Sequence, residues 1–100
     1  MKNPLKRKLL NAFISLHILH HAQEEPIYGS WMMEELKRHG YDMSFGTLYP
    51  LLHSLEKDGL LTSEEVVCEG KRRILYHITT HGQQTLVELR HFVTELTSET

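Results

Sequence analysis

The stretch "SLHILHH" carries three of the chain's eight histidines, His17, His20 and His21. Residues four apart share one face of a helix, so His17 and His21 would hold two imidazoles side by side. Metal ligation at that spacing is physically sound, but two helical histidines need further ligands. The single cysteine, Cys68, offers no pair, and the carboxylates close in sequence are Glu24 and Glu25. The bland reading puts His20 and His21 in a last helical turn and His17 at a packing interface. We expect no metal and no cofactor, and a metal-responsive device through His17, His20 and His21 stands as an alternative.

A second constellation is "SFGTLYPLLHSLEKDGLL", Ser44 to Leu61. Leu48, Leu51, Leu52 and Leu55 keep helical time. The side they avoid carries Thr47, Tyr49, Pro50, His53, Ser54, Glu56 and Lys57. Small Ser44, Gly46 and Thr47 would let this end come close to a phosphate or a base edge, and the Tyr49 hydroxyl can donate to a phosphate oxygen. Pro50 leaves the Gly46 carbonyl without its helical donor. If the helix begins near Thr47, Pro50 falls in the first turn and costs little. A third constellation, a basic one, is Lys71, Arg72 and Arg73. Its bland reading is a solvated charged turn, with Arg73 directed along the strand toward an acid. For Tyr49 and Thr47 the bland reading is a solvated helix face.

Enzymatic chemistry has little support. There is no paired-carboxylate spacing, no Gly-rich phosphate loop and no nucleophile elbow. Cys68 has only the nearby Lys71 and Arg72 to activate it, so a redox switch there is weakly founded. Trp31 is a weak candidate for stacking an aromatic ligand; a lone Trp at an apolar helical position is more often core.

One hundred residues make one small domain with a thin core. The run "NAFISLHILHH" falls short of the roughly 18–20 apolar residues that span a bilayer. "MKNPLKRKLL" is basic and then apolar, but too short and broken for a signal peptide. With one cysteine and no internal disulfide, a cytoplasmic protein without a membrane partner is expected. The net charge of −2 argues weakly against nucleic acid. The distribution matters more. Lys2, Lys6, Arg7 and Lys8 cluster, as do Lys37 with Arg38 and Lys71 to Arg73, while the acids lie mostly elsewhere.

The elements that must position these groups follow from periodicity. Residues 5–21 read as a helix that is apolar around much of its circumference, and Pro26 marks a loop. "IYGSWMMEELKRHG" reads as a second helix, opened by Ser30 or by Tyr28–Gly29 and closed by Gly40. The third runs from an N-cap at Ser44 to Gly59. The period then changes to two. Leu61–Val67 and Arg73–Thr79 read as an antiparallel pair, with "CEGKR" as the tip. A last helix spans about Thr80 to Leu96. Leu86, Leu89, Val93 and Leu96 form a short a/d seam beside Phe92, which needs the first helix or a second chain to cover it. This order is that of a winged helix-turn-helix, mainly α with a small β-hairpin, in which the third helix reads DNA and the hairpin touches phosphates.

With these residues in this order, the chain resembles the PadR family of bacterial transcriptional regulators. The resemblance runs from about Ile18 to Leu86. It is carried by "GTLYPLLHSLEKDGLL", the Gly-Lys-Arg-Arg wing, a tyrosine in the second strand and "ITTHG". Two features depart from the family pattern. Helix two opens with Tyr28-Gly29-Ser30-Trp31 where the family often has Gly-Tyr-Glu-Leu, and a single C-terminal helix resembles the compact subgroup. The resemblance implies a dimeric, usually repressing DNA-binding protein, often released by phenolic or other small aromatic compounds. On this reading residues 1–79 form the winged DNA-binding domain and 80–100 the dimerisation helix, packed on the first helix. Double-stranded DNA with a pseudo-palindromic operator would be held by Ser44, Thr47, Tyr49, Pro50, His53, Lys57, Lys71, Arg72 and Arg73. The homodimer would be held by Leu9, Phe13, Leu86, Leu89, Phe92, Val93 and Leu96. A winged-helix interaction adaptor without DNA binding is the alternative from another class.

Overall fold

A computed structural model of the chain describes residues 3–100. Met1 and Lys2, the latter part of the N-terminal basic cluster, lie outside the described residues. Helix α1 spans Pro4–Glu24. Proline is preset for the first helical position, and the Asn3 side chain caps it by accepting the Lys6 N–H at 3.1 Å. Expected burial on several sides holds only for its second half, where Ile14, Ile18, Leu19 and Ala22 are buried, whereas Leu5 and Leu9 stand exposed.

The segment expected to be loop and helix holds a short strand. Strand β1, Ile27–Tyr28, precedes α2, Gly29–Arg38. Helix α3 covers Phe45–Lys57, strands β2 and β3 cover Leu61–Cys68 and Lys71–Ile78, and α4 covers Thr80–Glu99. The expected hairpin is thus part of a three-stranded antiparallel sheet ordered β1-β3-β2. Ile27 lies opposite Tyr76, and Ser63 opposite Tyr76 on the other side.

The wing tip is tighter than "CEGKR" suggests. Cys68 pairs with Lys71, leaving Glu69 and Gly70 alone in the turn, both with positive φ (53° and 76°). Such a two-residue turn matches strand twist. Lys71, Arg72 and Arg73 therefore belong to β3 rather than to the tip.

One core joins the elements. Ile18, Leu19, Met32, Leu36, Leu48, Leu52, Leu61 and Leu86 are fully buried. Gly82 is a contact point: an added Cβ would lie 2.2 Å from the Leu60 carbonyl oxygen. Thr79 fixes the same corner, accepting the Gly82 N–H at 2.9 Å and donating to the Gly59 carbonyl at 2.6 Å. Leu86 sits in this core, so it is not free to meet a second chain, in contrast to the expectation; the seam faces inward at its first turn and outward beyond it. The architecture is a winged helix with α4 packed along α1.

Candidate nucleic-acid interface

Helix α3 is built to leave one face bare. Leu48, Leu52 and Leu55 are buried, each contributing about 1.5–3 kcal/mol relative to exposure. That outweighs an interior proline, which costs about 3 kcal/mol. The helix starts at Phe45, so Pro50 lies in its second turn, and the first-turn placement that would make it cheap is not met. Gly46 is exposed, so the carbonyl that Pro50 leaves without a donor lies at an accessible end.

Ser44 is the N-cap in extended conformation, and its side chain makes no capping bond. Ser44, Thr47, Tyr49, Pro50, His53 and Lys57 are all exposed. Tyr49 sits between two rings of its own helix, with Phe45 at 5.5 Å and His53 at 6.4 Å between centroids. Phe45 was missed by sequence reasoning. Its signal was an aromatic one turn before Tyr49, directly after the N-cap, and it is 45% exposed.

The phenol of Tyr49 reaches the N-terminus of α2. A Cβ built on Gly29 would lie 3.0 Å from Tyr49 Cε1 and 3.0 Å from its hydroxyl oxygen. The N-cap of α2 is Tyr28, which makes no side-chain capping bond. Uncapped first-turn N–H groups and the helix dipole favour an anion there. Tyr28, Gly29, Ser30, Tyr49, Arg72, Arg73 and Tyr76 line a cleft of about 340 Å³ at this end. Arg73 places its guanidinium 4.8 Å above the Tyr28 ring. Arg72, rather than Arg73, meets an acid: its Nε lies 3.3 Å from Glu65 Oε1. The pair is exposed, and such pairs contribute about 0–1 kcal/mol, so Arg72 is readily released to another anion. Burial, then the Glu56 carboxylate, raises the Tyr76 phenol above its usual range and keeps it neutral. Lys71 is exposed on β3 but does not line this cleft.

A second surface lies along α1 and α4. Leu9, Phe13, Leu89, Phe92, Val93 and Leu96 line an apolar groove of about 250 Å³ with Ala12, Leu16 and Thr97. Phe92 and Leu96 are 65% and 59% exposed.

Trp31 is 46% exposed, so it belongs neither to the core nor to the anion cleft. It stands edge-on to His21 at 5.3 Å. His17 and His21 face α2, while His20 is directed to Arg90 of α4. Burial, then the neighbouring His39, His21 and His20, holds the His17 imidazole below its usual range.

The sequence signature of the Transcriptional regulator PadR-like family matches residues 18–88. The transcriptional regulator Rv3488 of Mycobacterium tuberculosis is 48% identical over 93 residues, covering 93% of this chain and 87% of that protein. A PadR-like transcription factor from Bacteroides fragilis superposes with a TM-score of 0.85 at 32% identity, covering 97% of this chain and 95% of the other. The PadR-like regulator BC4206 of Bacillus cereus gives 0.83 at 28% identity, over 92% and 91% of the two chains. These relatives are transcriptional regulators rather than enzymes, and among the described residues no helix is long and apolar enough to cross a membrane. Residue match, fold and exposed third helix agree, and the chain belongs to the PadR-like family of transcriptional regulators.

Proposed function

We propose that this regulator works as a homodimer on double-stranded DNA in the cytoplasm. Two copies of α3 enter successive major grooves of a pseudo-palindromic operator. The observation that carries the reading is the cleft where the uncapped start of α2, the Tyr49 phenol, Arg72 and Arg73 converge beside the bare face of α3. Its donors suit a backbone phosphate. Thr47, Pro50 and His53 then face the bases, while Lys57 and Lys71 reach flanking phosphates. Residues 1–79 form the DNA-binding domain. The helix within residues 80–100 pairs the two copies through Leu9, Phe13, Leu89, Phe92, Val93 and Leu96, a surface too apolar to stand open comfortably. The family resemblance supports repression, relieved by a small aromatic or phenolic compound.

The test is anisotropy of a labelled duplex taken from upstream of the chain's own gene, at two salt concentrations. A complex weakened by salt, preferring that duplex to a scrambled one and released by phenolic acids, is the expected result. The net charge of −2 and the acids paired along the wing favour the adaptor alternative, which forms no salt-sensitive complex with any duplex.

A further inference from the structure

We propose that His17, His21, Glu35 and His39 form a binding site for one divalent first-row transition ion, of which zinc fits best. The site lies between α1 and α2, away from the DNA cleft. Each helix supplies two ligands four residues apart, which places both on one face. His17 and His21 come from α1, Glu35 and the C-cap residue His39 from α2.

The spacing supports this. Nitrogen atoms of His17, His21 and His39 lie within 4.8 Å of one another. Glu35 Oε2 lies 3.4 Å from His21 Nε2 and 3.2 Å from His39 Nε2. Two ligands of a tetrahedral zinc ion with bonds of about 2.0–2.1 Å stand roughly 3.3 Å apart. Glu35 Oε2 thus holds that edge length to two imidazoles already, and the His17 ring must turn inward to complete the set.

A second observation is independent of spacing. The His21 side chain is only 9% exposed, and its Nε2 has no hydrogen-bond partner; Glu35 Oε2 is near but not placed to bond it. An orphaned buried nitrogen is uncommon. Its other nitrogen, Nδ1, faces Glu24 Oε1 at 3.4 Å. A carboxylate that closes on Nδ1 would hold a proton there and leave the Nε2 lone pair to the cluster, the arrangement that orients metal-bound imidazoles. Arg38 steadies the fourth ligand, donating from Nε to Glu35 Oε1 at 3.0 Å and from Nη2 to Oε2 at 2.8 Å. With Oε2 on the ion, the Nε bond to Oε1 remains.

Three imidazoles and one carboxylate suit zinc, with copper, nickel and cobalt as competitors, and do not suit calcium or magnesium. His20 belongs instead to a neighbouring group with His21 and Glu24, and its Nδ1 meets Arg90.

The experiment titrates the chelator-treated full chain with zinc by calorimetry and with cobalt by visible absorption. Trp31, the chain's single tryptophan, stands edge-on to His21 and reports cobalt by quenching. One ion per chain is expected, with tetrahedral cobalt bands and a melting temperature raised by zinc. His39→Ala and Glu35→Gln should each weaken zinc at least 100-fold. Glu24→Gln, one shell out, should weaken it about 10- to 100-fold. His81→Ala, on α4, should bind as the unaltered chain does. Circular dichroism of the metal-free variants checks the fold, and Glu35→Gln keeps the shape of the side chain if His39→Ala unfolds. Zinc binding that survives Glu35→Gln and His39→Ala, or no saturable binding below millimolar zinc, overturns the proposal.

Discussion

Tyr49 of α3 lies directly across Gly29 of α2, so near that a methyl group on Gly29 would meet the phenol at 3.0 Å. The contact sets the phenol at the uncapped helix start and couples the reading helix to the anion cleft. Gly29→Ala should therefore displace Tyr49 by a few tenths of an ångström. We expect weaker DNA binding with stability changed by about 1 kcal/mol or less, because alanine is the better helix former. Paired anisotropy and thermal melts check this; undiminished affinity would separate the Tyr49 position from DNA binding.

Tyr49→Phe removes only the hydroxyl. Affinity should fall by about 0.5–1.5 kcal/mol for operator and random duplex alike, as for one lost hydrogen bond to a phosphate. A loss confined to one operator sequence would mark base readout instead.

Arg72→Ala tests the wing. Each lost phosphate contact flattens the slope of log affinity against log salt by roughly 0.9, and a dimer loses two, so the slope should shift by up to about two. Sequence preference should persist. Titrations at three or more salt concentrations measure both. An unchanged slope would return Arg72 to its exposed partner Glu65.

The apolar residues on α4 divide into two kinds, and three variants separate them. Phe92→Asp alters an exposed groove residue, so the chain should stay folded and sediment as a monomer at micromolar concentration. Leu89→Asp is the harsher change, since Leu89 also packs against its own core, and it should give a monomer or an unfolded chain. Leu86→Ala removes a fully buried side chain and should cost about 2–5 kcal/mol of stability, read by denaturant melts. A dimer of undiminished affinity with Phe92→Asp would leave the groove without a second chain.

Gly82→Ala should be among the most damaging small changes. Its Cβ would meet the Leu60 backbone oxygen at 2.2 Å and Ile78 Cγ1 at 2.7 Å, and backbone cannot move aside cheaply. A melting temperature within a degree of the unaltered chain would show that the corner between β2 and α4 can open.

Much of this was legible from residue order alone. The leucine period of α3, the cap at Ser44, the change to period two after Gly59 and the family-like "GTLYPLLHSLEKDGLL" and "ITTHG" are local, because backbone geometry repeats every few residues and side-chain pattern must follow it. Helix and strand types, their order and the bare face of α3 came from that pattern. What it left undecided depends on residues far apart in the chain. Strand β1 has two residues and no period of its own; it exists because Ile27 and Tyr28 pair with Tyr76 and Leu75. Leu86 and Leu96 hold equivalent places in one seam, yet one is buried and the other bare, since only the first turns of α4 pass over the core. The tip of the wing tightened because strand pairing ran on to Cys68 and Lys71. The histidines make the contrast sharpest. Their i, i+4 spacing is visible in α1, but the partners His39 and Glu35 arrive from α2 only when the helices pack, because burying Ile18, Leu19, Met32 and Leu36 together rotates those two faces toward each other.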